Sequence, residues 1–288
     1  MRLRYGAVIV SAMLSCSAYG GVRNYVASID QSHWNLETAN PLQCTLTHTI
    51  PHYGTAVFNS RAGRSTDLNF ILEMRRKPER ATRASLRSVA PSWRPGVPAR
   101  AIVDVTYQAQ FDAEVPKHAA WVMLTELEQG MQPTFYYQDW YNPVNQVAVG
   151  LSSANFQNSY FQFVACIDSL LPYSFEDIAY TVLNFRDKNG DLTTESRRKL
   201  ERIREYLSYD PTLELVLIDS YTDSFGSEAS NLKLSHEQAD KLKQFFVEAG
   251  IEANRIVSQG HGEKRHIASN TSNRGRAQNR RVVIRMER

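Results

Sequence analysis

The chain has 288 residues, 42% of them hydrophobic and 22% charged. Those fractions suit one large or two ordinary globular domains and exclude a disordered or collagen-like chain. Arg2 and Arg4, in the leading segment, supply two of the formal net charge of +3, so the rest has no global charge that steers it to nucleic acid or anionic lipid.

Residues 1–20 have the pattern of a secretory signal: a basic start, an apolar core from Tyr5 to Leu14, then small residues. Ala18 and Gly20 take the −3 and −1 positions for cleavage before Gly21. No apolar run is long enough to span a bilayer as a helix, which excludes a polytopic membrane protein. The expected location is the periplasm. Cys16 leaves with the signal, and Cys44 and Cys166 remain to pair in an oxidising compartment. Such a bridge stabilises by roughly 4–5 kcal/mol through loop entropy. The alternative, a lipid-modified Cys16, is disfavoured by Met13 standing where leucine is expected.

Residues 21–172 read as strands and loops. Alternating or β-branched stretches at 54–59, 67–74, 101–111 and 146–152 predict strands. A short helix is expected over Ala119–Gly130, stopped by the glycine. Phe135, Tyr136, Tyr137, Trp140 and Tyr141 form an aromatic cluster, read as core ahead of a partner surface.

Residues 173–288 alternate helix and strand. Ile178–Phe185 reads as a strand, and Thr193 or Thr194 caps a helix carrying Leu200, Ile203 and Leu207 on one face. Leu213–Ile218 reads as a buried strand. Ser235 is expected to cap a second helix, with Ala239, Leu242, Phe246 and Ala249 inward and Gly250 as its stop. Strands at Arg255–Gln259 and Arg281–Met286 finish the chain. The fold class is α+β: a mainly antiparallel β domain, then a βαβαββ sandwich.

Asp187-x-Asn189-x-Asp191 begins like a calcium loop, but its sixth position is Leu192 and its twelfth Arg198, which leaves a turn. His48 and His52 are four apart with Pro51 between them, so a helical metal pair fails. His261 and His266 lie in a glycine-flanked loop with no cysteine and few carboxylates nearby, which is poor metal chemistry. No nucleophile elbow, zinc-protease helix or phosphate loop is present, so neither an enzyme, a cofactor nor a metal is expected. The basic run Arg274–Arg281 suits a carboxylate partner through guanidinium forks, or is simply solvated.

Three stretches of the second domain carry a family resemblance. They are Ser220-Tyr221-Thr222-Asp223, then Asn231 to Ala239, then Gly260-His261-Gly262-Glu263 running through Asn270 to Asn279-Arg280-Arg281. In order and spacing they resemble the OmpA-like, peptidoglycan-associating family. That resemblance implies recognition of diaminopimelate in the peptidoglycan stem peptide, whose free end bears an ammonium and a carboxylate. It places the anion at Asp223, beside Thr222, with Asn231 as a polar contact and the cation at position 238. The residue there is Gln238, which lacks the charge at a cost of roughly 1–2 kcal/mol. Arg276 or Arg280 can supply the missing charge; otherwise wall binding is weak.

The first domain adds Arg23–Ala27, Pro41–Cys44, Ala56–Ala62, Trp93–Gly96, Pro133–Trp140 and Tyr173–Ala179. These resemble the MotY-like family of sodium-driven polar flagellar motor proteins, and the likeness also supports the Cys44–Cys166 pairing. It implies a structural protein that joins the flagellar basal body rings, brings in MotX and so helps retain the PomA/PomB stator. A general envelope anchor without a motor role and an exported wall hydrolase are the competing readings.

Overall fold

The computed structural model describes residues 21–187 and 190–288. The expected signal segment and Cys16 lie outside them. Among the described residues no helix is long and apolar enough to cross a membrane.

The first half is built from short strands: β1 (Val22–Tyr25), β2 (Trp34–Asn40), β3 (Gln43–Ile50), β4 (Gly54–Arg61) and β5 (Asp67–Met74). After these come β6 (Thr82–Val89), β7 (Arg100–Tyr107), β8 (Ala113–Val115), α1 (Lys117–Glu128), β9 (Gln132–Gln138) and β10 (Gln146–Gly150). Period-two alternation explains them. In β5, Leu68, Phe70, Leu72 and Met74 are buried while the intervening residues face outward in part. One sheet has the order β1-β10-β9-β6-β7 and another β2-β3-β4-β5-β8. Pairing in the first sheet is antiparallel apart from the parallel β1–β10 edge.

The aromatic cluster divides between the two readings. Phe135 and Tyr137 are buried, whereas Tyr141 is 51% exposed. A helix absent from the sequence reading, α2 (Phe156–Asp168), follows β10. It carries Cys166, which is bonded to Cys44 of β3 across 122 residues of chain.

The remainder comprises α3 (Phe175–Ala179), β11 (Tyr180–Asn184), α4 (Thr194–Tyr209), β12 (Leu215–Tyr221), α5 (Glu228–Glu248), β13 (Ile256–Gly260), α6 (Asn273–Asn279) and β14 (Arg281–Glu287). The sheet order is β11-β14-β12-β13, with β12 central, antiparallel to β14 and parallel to β13. Thr193 caps α4 by accepting from the Ser196 N–H. Leu200, Ile203 and Leu207 of α4, and Ala239, Leu242 and Phe246 of α5, join Val216, Ile218, Val282 and Ile284 of the sheet in one buried core.

By compactness the described chain forms two units. One holds Trp34 and the described residues before it, Thr47–Val57 and Phe70–Gln157. The other holds Asn35–Leu46, Phe58–Asn69 and Asn158–Arg288.

The start of α5 corrects the sequence reading. The cap is Ser227, which accepts from the Ser230 N–H, and Ser235 lies two turns inside the helix. Hydrophobic periodicity missed those turns because their inward face is polar: Asn231, Ser235 and Gln238 are all buried. The same face fixes Gly260. A side-chain carbon there would come within 2.3 Å of the His236 backbone nitrogen, so glycine lets β13 lie against α5.

Candidate functional site

The central strand β12 ends at Tyr221, but Thr222 and Asp223 beyond it stay buried. A buried carboxylate needs partners. Arg280, at the junction of α6 and β14, places Nη1 2.7 Å from Asp223 Oδ2. The Phe225 N–H donates to Oδ1 at 3.0 Å. The next residue, Arg281, takes a different path. Its guanidinium lies 4.1 Å from the centre of the Tyr221 ring and donates to the Arg265 carbonyl at 2.9 Å. Burial holds its pKa below the ordinary arginine value.

Helix α5 supplies the opposite wall. Asn231, Ser235 and Gln238 recur at i, i+4 and i+7, which aligns them on one face. Asn231 Nδ2 donates to Glu263 Oε2 at 2.8 Å and to the Asp223 carbonyl at 3.3 Å. Ser235 Oγ donates to the Leu232 carbonyl and accepts from the Gly262 N–H at 2.9 Å. Gln238 Oε1 accepts from Ser220 Oγ at 3.0 Å. That bond leaves the amide N–H groups of Gln238 as the donors it can offer a ligand.

A cavity of about 190 Å³ opens between these walls, with Thr222, Asp223, Asn231, Gln238 and Arg280 on its lining and the exposed Phe225 beside them. Thr222 Oγ1 and Arg280 Nε are buried without a hydrogen-bond partner, so two lining residues keep bonding capacity unspent. Gly190 borders Gln238. A side-chain carbon there would sit 3.4 Å from Nε2, and its φ of +87° favours glycine. Nearby, Arg186 pairs with Asp191 at 3.1 Å and with Asp187 at 3.5 Å.

Five of the six expected binding residues therefore converge, and Arg276 does not. Its guanidinium is spent locally, donating to the Asn270 carbonyl at 2.7 Å and to Asn273. The sequence reading gave no role to Ser220 or Glu263, which hold Gln238 and Asn231 in place. Glu263 lies in the quoted Gly-His-Gly-Glu stretch, but nothing in its spacing pairs it with Asn231. Chemically, the cavity presents one fixed anion beside one fixed cation, the arrangement a zwitterion needs. Among the described residues no three His, Cys, Asp or Glu side chains converge as metal ligands.

Comparison with known proteins covers both halves. The MotY N-terminal domain family matches residues 25–172, and the OmpA family matches residues 184–280. The chain is 41% identical over 277 residues to the sodium-type flagellar protein MotY of Vibrio parahaemolyticus, covering 96% of this chain and 94% of that one. It is 41% identical over 93 residues to outer membrane protein A of Bordetella avium, 32% of this chain and 47% of that protein. It is 39% identical over 100 residues to the peptidoglycan-binding protein ArfA of Mycobacterium bovis, 35% of this chain and 30% of that protein.

Proposed function

We propose, from the premise that the chain belongs to the MotY family, that it is a periplasmic structural component of the sodium-driven flagellar motor, tied to the cell wall by its OmpA-like domain. Residues 21–172 associate with the basal body rings and recruit MotX, and through it the PomA/PomB stator. Residues 173–288 hold the assembly to peptidoglycan. It works by binding and carries out no catalysis.

The observation that carries the wall-binding half is the Asp223–Arg280 pair in its cavity. The zwitterionic end of diaminopimelate inserts beside it. The ligand's ammonium meets Asp223, and its carboxylate meets Arg280 and the Gln238 amide. Each ligand charge lies against its opposite, so neither buried protein charge loses its partner on binding. Arg280 thus takes over the cationic part that Gln238 cannot play. The motor half is supported by likeness along nearly the whole chain to a sodium-type flagellar protein.

Joining wall binding and docking on one chain has a mechanical rationale. A stator exerts torque, so its attachment must reach a load-bearing polymer. Two modest contacts on one chain also strengthen each other through effective concentration.

The test is sedimentation of the chain from Gly21 onward with isolated sacculi, alongside Asp223→Ala. Binding by the parent chain and its loss in the variant are expected. Sedimentation of neither would remove the wall-binding half and leave only motor assembly. Equal sedimentation of both would move the ligand elsewhere on the domain.

A further inference from the structure

The first unit contains a larger, half-open cavity of about 470 Å³. One wall is a run of aromatic rings. Tyr25 and Tyr53 have ring centres 5.2 Å apart, and the Tyr53 hydroxyl lies 3.1 Å from that of Tyr137. Tyr137 stacks on Trp140 at 4.8 Å, with Tyr141 edge-on beyond it. Burial raises the pKa of the Tyr53 and Tyr137 hydroxyls far above the usual tyrosine value, so this wall stays uncharged.

Charge around the same cavity is one-sided. Arg23, Arg75 and Arg76 line it against a single carboxylate, Asp139. Asp139 is already committed: Oδ2 lies 3.1 Å from Arg23 Nη1, and Oδ1 accepts from the Tyr141 N–H at 2.9 Å. Arg75 and Arg76 follow directly after β5, are exposed, and have no acidic partner among the described residues. Core packing accounts for the inner rings. It does not account for two unpaired guanidinium groups at the mouth, or for a tryptophan Nε1 left without a hydrogen-bond partner in the wall.

We propose that this cavity docks an acidic segment of a partner polypeptide. One aromatic or branched side chain of the segment lies on the rings from Tyr53 to Tyr141, and flanking carboxylates are held by Arg75 and Arg76. The volume suits one or two side chains, and the open side lets the partner's chain pass. Tyrosine, tryptophan and arginine carry most of the energy in protein interfaces, because their flat faces desolvate well and guanidinium grips carboxylate through two parallel bonds. The free charge at the mouth also speeds encounter with an acidic partner. This deepens the reading that residues 21–172 dock on motor proteins, and rests on it.

Random peptides displayed on phage, panned against the mature protein, test the chemistry. Enriched sequences are expected to place Asp or Glu beside an aromatic residue. Their affinity should fall by about tenfold or more in Arg75→Glu/Arg76→Glu, and should weaken with rising salt. The variant must keep the parent's thermal midpoint and its Cys44–Cys166 bridge. Enrichment of no acidic motif, equal binding to the variant, or displacement of the peptides by glycan strands overturns the proposal. Isolated basal bodies separate this from the wider reading. Parent and variant both retained there removes the cavity's role and keeps the motor reading. Parent absent from basal bodies removes the motor reading, and the panning alone then decides the cavity.

Discussion

Asp223 and Arg280 lie 57 residues apart in sequence and 2.7 Å apart in space, the carboxylate nearly fully buried and the guanidinium mostly so. Each secures the other's charge in a place where neither would be stable alone. The pair also leaves Thr222 Oγ1 and Arg280 Nε unspent.

Asp223→Ala should abolish detectable binding to sacculi. It strands Arg280 in a buried site, so stability should also fall, by about 3 kcal/mol or more. Asn231→Ala separates the two effects, since it removes a neutral contact that also bonds Glu263. Its cost in stability should be nearer 1–2 kcal/mol, with binding weakened but measurable. Urea denaturation and sedimentation on the same samples check both.

Gln238→Arg should tighten sacculus binding by up to about tenfold, the usual gain of a charged over a neutral hydrogen bond. The gain is limited by Arg280, which already offers a guanidinium to the same carboxylate. Stability should drop slightly, because the Ser220 hydrogen bond is lost and the longer arginine must fit beside Gly190. Unchanged affinity would mean that Arg280 alone makes the whole carboxylate contact. Titration of sacculi against a fixed protein concentration distinguishes these outcomes.

The strands were legible in the sequence through alternation, and the cavity residues only through the family resemblance. The β5 expectation matches the strand residue for residue, and Asp223, Asn231 and Gln238, which the resemblance names, all line one cavity. What stayed hidden is instructive. The first turns of α5 present a buried polar face, and a search for apolar periodicity therefore read Ser235 as a cap. Helix α2 carries Phe156, Tyr160, Phe163 and Ile167 at helical spacing, a period the sequence reading passed over. Arg280 could not be told from Arg276 within one basic run. Only the turn from α6 into β14 aims one inward and leaves the other on Asn270 and Asn273.

Cys44→Ser should lower the unfolding free energy by roughly 4–5 kcal/mol, the loop-entropy value for a bridge of this span. The bond joins β3 to α2 with Cα atoms 6.0 Å apart. The mutant should accumulate poorly after export, and its mobility on a non-reducing gel should match the reduced parent. Ser at Cys166 should behave alike, and the double replacement no worse than either single one, since each removes the same bond.

His48 makes stability depend on pH between its lowered value in the fold and the ordinary histidine value. It is fully buried, stacked on Trp34 at 4.4 Å, and its Nδ1 bonds the His33 carbonyl at 2.9 Å. That bond makes Nδ1 the donor and leaves Nε2 to accept the Ser152 N–H at 3.4 Å, which fits a neutral ring. Burial, with the nearby His33 ring adding to it, pulls the pKa down to about 4 against the pull of the His33 carbonyl. The unfolded chain takes up a proton near the ordinary value of about 6.5. Between those two values the unfolded state binds more protons, so stability is full above the upper one and lost as pH falls toward the lower. The loss should approach about 3 kcal/mol by the lower value. Urea midpoints taken at neutral pH and at two steps down should show it, and His48→Gln, which keeps a donor and an acceptor without titrating, should flatten the slope. A slope as steep in that variant as in the parent would assign the pH dependence to other groups.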